Sequence, residues 1–421
     1  MPENRYQTAI LGSGPAGTGV LVRAARRGLL DGLLSRGLVL IDQQSGPTST
    51  TLGHYDIPSN SPAGAFLECL DSPCPAALQG LADTPEARAL RAHQHETPPL
   101  PLVGQFLDRL AAALHQTLYE HPASTVLAGH RVTALRLHRD GTLIETVQDG
   151  TPRQTVARRV VVALGAEQDR QSIRSQPITP QCSLEQTPDS TIFLSDGILR
   201  GTTRAPLLAA LRRSARVVII GGSHTALSIC WQLLNQYTRH GITFNARSIT
   251  IFHRSPVRVF YPDTDAARRD GYTNVSADQC CPQTGGVHRI GGLRGPSREL
   301  YRRIRAGREP RVQLASTDNL TTLQQSLQTA SAVIPAYGYQ KRLVPIYGPD
   351  GARIPIHRGQ VDKHGRLLTN SGKPLPIWSI GISSGQKTSP KIGGEACFKG
   401  SVDGVWLYQH LIGEHILKAL L

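Results

Sequence analysis

The amino-acid sequence predicts an α/β fold with two similar units, the second inserted into the first. Glycine-rich loops follow short apolar runs at residues 9–19 and 217–226. Each loop leads into a helix-like stretch, and a polar side chain ends the next strand-like run. This order of strand, glycine turn and helix predicts two Rossmann-like dinucleotide-binding domains. We expect the first domain to span 1–197 and 326–421, and the second to span 198–325.

Composition excludes several classes of protein. The chain has 421 residues, 39% of them hydrophobic and 18% charged, which is typical of a globular protein. It lacks an export signal and any apolar run of the roughly 20 residues that span a bilayer, so we expect a cytoplasmic protein without membrane contact. Its net charge of +15 comes from scattered arginines, which favours an anionic small molecule over nucleic acid. The seven cysteines lack zinc-ligand spacing, so we expect no metal.

The first glycine loop, "GSGPAG", has the spacing that binds a pyrophosphate. It offers Gly12, Gly14, Pro15, Ala16 and Gly17, with the anion placed at the N-terminus of the following helix. The next strand, "LVLID", ends in a carboxylate that can accept hydrogen bonds from ribose hydroxyls. That carboxylate belongs to Asp42.

Residues 126–165 alternate apolar and polar positions around two turns and end in the fully apolar "VVVALGA". This pattern predicts an antiparallel hairpin followed by a buried parallel strand. The closing strand resembles the "ATG" strand of flavoproteins with two dinucleotide-binding domains, with Leu164 in place of Thr. The resemblance implies FAD in the first domain, with Val132 and Gly165 near it; the glycine spacing alone fits NAD equally well.

The second loop, "GGSHTA", supplies Gly221, Gly222, Ser223, His224 and Ala226. Serine stands where the smallest side chain is usual, although its hydroxyl can still donate to a phosphate. The following strand ends in "HRSPVR" instead of an acid. Because arginine binds a 2′-phosphate that a carboxylate would repel, we expect NADP(H) here, with Arg254 as the first candidate and Arg258 as the second.

Three further segments resemble flavin-containing monooxygenases and the ornithine and lysine N-monooxygenases. The "AYGY" segment, which ends in Tyr339, resembles their "ATGY" motif, with Tyr337 in place of Thr. The "YDIPSNS" segment looks like their "Y…NTS" segment, which implies that Asn60 reaches the flavin. The "IGISSG" segment resembles the strand that closes the FAD domain. It places Gly381 near the cofactor, with Ile382 instead of the usual acid.

This resemblance implies an FAD-dependent, NADPH-using monooxygenase that oxygenates a small molecule with O₂. In such enzymes NADPH reduces FAD, O₂ adds at the flavin C4a, and the oxygenated flavin attacks a soft nucleophile. The Baeyer–Villiger signature FxGxxxH is absent from the chain. We therefore expect oxygenation at N or S. Neither the substrate nor the oligomeric state follows from the sequence.

Residues 259–312 are long for a connection inside such a domain and are rich in Gly and Arg. We expect a long loop here. Loops of this kind are often substrate lids, but a solvated basic excursion fits the composition equally well.

Two alternatives stay open. The spacing of Cys69 and Cys74 fits a pyridine-nucleotide disulfide reductase, although the glycine and lysine pattern around that motif is missing. A non-catalytic nucleotide-binding or regulatory protein would explain the departures from the family patterns. These departures lie at Leu164, Ser223, Tyr337 and Ile382.

Overall fold

The computed structural model describes residues 5–46, 51–389 and 392–421. Over these residues the strands are β1 (Arg5–Leu11), β2 (Leu38–Asp42), β3 (Thr125–Ala128), β4 (Arg131–His138), β5 (Gly141–Gln148), β6 (Thr151–Val162), β7 (Ala166–Glu167), β8 (Val217–Ile220), β9 (Ile249–His253), β10 (Val312–Ser316), β11 (Ala332–Pro335), β12 (Gln340–Lys341), β13 (Ile346–Tyr347), β14 (Ile356–Val361), β15 (Arg366–Thr369) and β16 (Pro374–Ser379).

The α-helices in the same ranges are α1 (Pro15–Arg26), α2 (Leu30–Ser35), α3 (Gly64–Leu67), α4 (Pro85–Ala92), α5 (Leu100–Tyr119), α6 (Arg170–Ser175), α7 (Ser195–Leu199), α8 (Arg204–Arg213), α9 (His224–Asn235), α10 (Thr264–Arg269), α11 (Gly295–Arg305), α12 (Leu320–Thr329), α13 (Val405–Gln409) and α14 (Leu411–Leu420).

The larger sheet has a parallel core in the order β3, β2, β1, β6 and β16. Strands β4 and β5 add an antiparallel hairpin to the first half of β6. The second half of β6 pairs with β1 and β16 instead, so one long strand joins the hairpin to the parallel core. This arrangement confirms the hairpin and the buried strand that the alternating pattern predicts.

The smaller sheet is parallel throughout, in the order β10, β9, β8 and β11. Its strands lie in the chain between β6 and β16, which confirms an α/β fold in which one unit interrupts the other. The sheet extends beyond the predicted boundary at residue 325, because β11 (Ala332–Pro335) pairs with β8. The short apolar run "AVIP" carries no signal for which of the two sheets it joins.

Burial explains these elements. Strands β8 and β11 are fully buried, as expected for β-branched runs in a parallel sheet that is covered on both faces. Helix α5 buries one stripe at helical spacing, which includes Val103, Phe106, Leu110 and Leu114. In the part of the chain that the model describes, no helix is both long and apolar enough to cross a membrane.

The stretch 259–312 is not the continuous loop expected from its composition. It contains α10 and the 11-residue helix α11. Helix α11 packs along α9, the helix that follows the second glycine loop. We refer to residues 259–312 as the insert.

Candidate functional site

The first glycine loop forms a tight turn that only glycine fits. Gly12 has a φ of +106°, and a Cβ there would overlap the carbonyl oxygen of Ala163. A Cβ at Gly17 would overlap the Gly12 carbonyl. Gly14 is the extended residue that precedes α1, and Pro15 begins that helix. The backbone therefore carries no side chains at these glycines, next to the unpaired N–H groups at the start of α1. This geometry can accommodate a pyrophosphate.

Asp42 lies at the end of β2 and is fixed against this loop. Its Oδ2 accepts hydrogen bonds from the backbone N–H of Ser13 at 2.6 Å and from the Ser13 hydroxyl at 2.8 Å. Its Oδ1 accepts one from the Gln44 N–H at 2.8 Å. A carboxylate offers about four acceptor positions, so these three bonds hold its orientation and leave capacity for a ligand hydroxyl.

The other residues expected around FAD lie on strands of the larger sheet. Gly381 follows β16 with a φ of +90°, and a Cβ there would lie 2.8 Å from the Cβ of Ala16 on α1. The end of β16 therefore meets the first glycine loop. Gly165 follows β6 with a φ of +74°, and Val132 is buried on β4. Ile382 is 43% exposed although it is apolar.

The second glycine loop repeats the close packing of the first. Gly221 has a φ of +137°, and a Cβ there would overlap the carbonyl oxygen of Ala336. A Cβ at Gly222 would lie 2.8 Å from the Cβ of His253. Ser223 is exposed and precedes α9 without capping it through its side chain, so its hydroxyl is available to a ligand. Ala226 is fully buried.

His224, the first residue of α9, is partly buried, and its side chain contacts the insert. Its Nδ1 lies 3.3 Å from the Ser297 hydroxyl on α11, and its Nε2 lies 3.3 Å from the Ser228 hydroxyl. Burial lowers the pKa of His224 to about 4, a hydrogen bond to the Pro58 backbone opposes this shift, and the charge of Arg294 adds to it. The imidazole is therefore neutral near neutral pH.

The two arginines expected at the NADP site lie in different places. Arg254 is exposed and lines a cavity of about 250 Å³ with Thr317 and Asp318, beyond the ends of β9 and β10. Arg258 points elsewhere, because its Nη2 donates to the carbonyl oxygen of Cys397 at 3.3 Å. The structure thus brings Arg254 to the end of the expected strand and does not bring Arg258 beside it.

Tyr339 belongs to a hydrogen-bonded group that the sequence did not indicate. Its hydroxyl donates to Asp196 Oδ1 at 3.4 Å, and the Tyr55 hydroxyl donates to the same oxygen at 2.6 Å. Arg200 contacts the other carboxylate oxygen at 3.4 Å. Burial and the hydrogen bond to Asp196 together raise the pKa of Tyr55 to about 12, and burial also raises the pKa of Tyr339, so both tyrosines stay protonated. The group joins residues of both units.

Asn60 holds the insert with both ends of its amide. Its Nδ2 donates to the carbonyl oxygen of Gly292 at 3.0 Å, and its Oδ1 accepts from the backbone N–H of Arg294 at 2.9 Å. On the opposite side, the fully buried carboxylate of Glu395 accepts the N–H groups of Ile290 and Gly291 at 3.0 and 2.8 Å. The segment 290–294 is therefore hydrogen-bonded at two places to the unit that contains the larger sheet, which we call the larger unit. It is not an independent lid.

The two cysteines that suggested a disulfide reductase are unsuited to redox chemistry. Cys69 is completely buried, its thiol lies 3.6 Å from the Phe66 carbonyl oxygen, and burial raises its pKa to about 12. Burial also raises the pKa of Cys74, and neither residue forms a disulfide. Thiol–disulfide exchange needs a thiolate, which these surroundings disfavour.

The sequence matches the model of a known protein family. The family model described as "pyridine nucleotide-disulphide oxidoreductase" matches residues 6–275, more than half of the chain. The chain belongs to this family. The family uses FAD and NAD(P)H, so the predictions of a flavoprotein, of two nucleotide cofactors and of an oxidoreductase are confirmed.

Within the family, the chain resembles a hydroxylase. It is 35% identical over 432 aligned positions to the CMP-5′-(3-aminopropyl)phosphonate hydroxylase of Streptomyces rubellomurinus, covering 99% of this chain and 97% of the relative. This finding confirms the predicted flavin-dependent monooxygenase and favours it over the disulfide reductase.

Solved structures agree on the fold. The ornithine N-hydroxylase of Kutzneria sp. 744, solved with reduced FAD, NADP⁺ and L-ornithine, is 16% identical, covers 99% of both chains and has a TM-score of 0.59. The cadaverine monooxygenase of Erwinia amylovora, solved with FAD, is 13% identical, covers 99% of this chain and 95% of its own, and has a TM-score of 0.60. The L-lysine 6-monooxygenase of Pseudomonas syringae is 14% identical, covers 99% of both chains and has a TM-score of 0.55.

Proposed function

We propose that the protein hydroxylates the primary amine of an aminoalkylphosphonate that is joined to cytidine monophosphate, using NADPH and O₂. The observation that carries this proposal is the 35% identity to the Streptomyces hydroxylase over 99% of the chain. The net charge of +15 supports it, because the nucleotide and phosphonate groups of such a substrate are anionic.

We assign FAD to the larger unit. Gly12, Gly14 and Gly17 would admit its pyrophosphate to the N-terminus of α1, where N–H groups are unpaired. Asp42 would accept hydrogen bonds from the ribose hydroxyls, because its orientation is already fixed by the glycine loop. The remaining contacts proposed for FAD are those of Pro15, Ala16, Val132, Gly165 and Gly381. Bound FAD supplies the redox chemistry, since it accepts hydride from NADPH and in its reduced form reacts with O₂.

We assign NADPH to the smaller unit. The uncapped hydroxyl of Ser223 would donate to its pyrophosphate at the N-terminus of α9, which offsets the loss of glycine at this position. Arg254 would bind the 2′-phosphate, because it is exposed, lies at the end of β9 and lines a cavity. Arg258 contacts Cys397 instead, so we give it no role in the choice of NADPH.

The substrate amine would lie where the insert meets the larger unit, and we call this place the junction. Asn60 hydrogen-bonds the backbone of the insert there, and Tyr339 and Tyr55 both donate to Asp196. We propose that these contacts limit the access of water to the reacting groups, which an oxygenating enzyme requires to avoid loss of reducing equivalents. We propose Asn60 as a catalytic residue.

The proposal is tested with the FAD-loaded protein, NADPH and O₂. CMP-5′-(3-aminopropyl)phosphonate is compared with free 3-aminopropylphosphonate, L-ornithine, L-lysine and cadaverine, and products are identified by mass spectrometry. We expect a hydroxylamine from the nucleotide-linked amine at the highest kcat/KM. Equal or better turnover of a free amine would contradict the substrate assignment. NADPH oxidation that yields only H₂O₂ with every amine would contradict the hydroxylase assignment.

A further inference from the structure

Three arginines of the insert lie close together without a carboxylate bonded to any of them, among the residues that the model describes. These are Arg289, Arg294 and Arg298. Arg294 is the central one, since its Nη2 donates to the Arg289 carbonyl oxygen at 2.7 Å and its own carbonyl oxygen accepts the Arg298 N–H at 3.2 Å. The guanidinium of Arg289 lies 4.7 Å from the centre of the Trp406 ring.

Other arginines of the same region have acidic partners. The Nη2 of Arg302 lies 2.6 Å from the Asp270 carboxylate, and Arg303 and Arg311 both pair with Glu309. These three arginines therefore have acidic partners within the insert. In the part of the chain that the structure describes, Arg289, Arg294 and Arg298 have no carboxylate within 4 Å, although the charge of Asp270 acts on Arg298 from a longer distance.

Arg294 is mostly enclosed, and its surroundings do not balance its charge. Its guanidinium lies 3.7 Å from the centre of the Phe260 ring, and its Nη1 donates to the Asn60 carbonyl oxygen at 3.4 Å. Within the described parts of the chain, two of its five N–H groups donate to protein oxygens. Burial lowers the pKa of Arg294 to about 10, and the charges of Arg289 and Arg298 add to this effect.

The nearby acid does not change this balance. The charge of Glu395 favours protonated Arg294, but its two carboxylate oxygens accept backbone N–H groups from Ile290 and Gly291. Two carboxylates, those of Glu395 and Asp270, therefore stand against four arginines, since Asp270 also pairs with Arg302. The Cys281 thiol, whose pKa is lowered to about 7 in part by its hydrogen bond from Arg289, adds at most one further negative charge. A ligand anion with more than one negative charge would complete the balance.

We propose that Arg289, Arg294 and Arg298 form a subsite for a phosphoryl or phosphonyl group. Planar guanidinium groups match the oxygens of such groups with two parallel hydrogen bonds each. The subsite adjoins Asn60, whose backbone and side chain both bond Arg294. A phosphonate held here would keep the amine at the end of its short alkyl chain close to the junction.

Two ligands could supply this group: the nucleotide-linked phosphonate or NADPH. The first source rests on the proposed function, and the second does not. Because both ligands carry the same chemistry, the experiment must measure their binding separately.

The test uses oxidised, FAD-loaded protein and isothermal titration calorimetry. Arg294→Gln and Arg298→Gln are titrated with CMP-5′-(3-aminopropyl)phosphonate, with NADP⁺ and with inorganic pyrophosphate. Arg268→Gln is the matched control, because it removes the same charge from an exposed position of the insert where the arginine is paired with Asp265. FAD content is measured for each variant to establish that it is folded.

We expect the Kd of one of the two nucleotide ligands, and that of pyrophosphate, to rise about 10-fold or more in both variants, as for a lost hydrogen bond to a charged group. A rise for the phosphonate ligand identifies the substrate as the source, and a rise for NADP⁺ identifies the cofactor. Changes no larger than those of Arg268→Gln for all three ligands would overturn the subsite.

Arg294 also supports the protein, so Arg294→Lys and Arg298→Gln carry the test if Arg294→Gln loses its FAD. The lysine keeps the charge and loses the two-pronged geometry, and we expect a smaller rise in Kd than for glutamine. Arginine-dependent binding of pyrophosphate without any hydroxylamine formation would contradict the proposed function and leave the subsite standing. Hydroxylation of the substrate, with Kd values in the arginine variants equal to those of the wild type, would support the proposed function and overturn the subsite.

Discussion

His224 gives a pH dependence of stability that can be worked out from its surroundings. Enclosed by Ser297, Ser228 and the Pro58 backbone, it has a pKa of about 4 in the folded protein, against an ordinary value of 6.5. The folded state therefore binds fewer protons than the unfolded state between these values. The stability that the neutral imidazole contributes is therefore fully present above pH 6.5, the pKa in the unfolded state. It is lost as the pH falls toward the folded-state pKa of about 4.

The size of the loss follows from the shift. At 1.36 kcal/mol per pKa unit, the full penalty is about 3 kcal/mol, and about 2 kcal/mol of it is present near pH 5. We expect His224→Gln, which keeps a polar side chain and cannot gain this proton, to remove that part of the pH dependence.

The assay is denaturant unfolding of the FAD-loaded protein without NADPH, near pH 7.5 and near pH 5. His93→Gln is the control, because it removes a mostly exposed histidine whose imidazole lies 3.3 Å from Glu96. The difference between the two pH values should be about 2 kcal/mol smaller in His224→Gln than in the control. Parallel losses of stability in wild type, His93→Gln and His224→Gln would refute the buried, neutral imidazole.

Three further substitutions test the cofactor sites and the rejected redox pair. Arg254→Ser should raise the KM for NADPH about 10-fold or more with little effect on NADH, while Arg258→Ser should not; equal effects of the two would contradict the assignment. Gly12→Ala should abolish FAD retention, measured by the flavin absorbance of purified protein, because its Cβ overlaps a backbone carbonyl. Cys69→Ser combined with Cys74→Ser should leave the NADPH-dependent turnover unchanged, and its loss would restore the reductase alternative.

The two glycine turns could be predicted because their signal is local. Glycine spacing, a preceding apolar run and a terminal polar residue all lie within a few tens of residues, and the steric need for Gly12 and Gly221 is visible in the structure. The hairpin of β4 and β5 follows from strict alternation in the same way.

The contacts at the junction could not be predicted, because they join residues far apart in the chain. Asn60 bonds the backbone of Gly292 and Arg294, and Glu395 bonds that of Ile290 and Gly291. Every residue type has a backbone carbonyl group, and nearly every one has a backbone N–H group. The sequence therefore does not show which backbone groups Asn60 and Glu395 will bind.

The helices of the insert were missed for another reason. Helix α11 is rich in arginine and buries little more than Ser297 and Leu300, so its apolar stripe is too narrow to stand out against its glycine-rich surroundings. The end of the smaller sheet was missed because the buried strand Ala332–Pro335 fits either sheet equally well.

The most direct measurement of the central claim is isotope incorporation from ¹⁸O₂. FAD-loaded protein, NADPH and CMP-5′-(3-aminopropyl)phosphonate are incubated under labelled oxygen, and the product is analysed by mass spectrometry together with the NADPH consumed. We expect one labelled oxygen atom on the amine nitrogen, with NADPH consumed in step with product. An unlabelled product, or NADPH consumption matched by H₂O₂ alone, would contradict it.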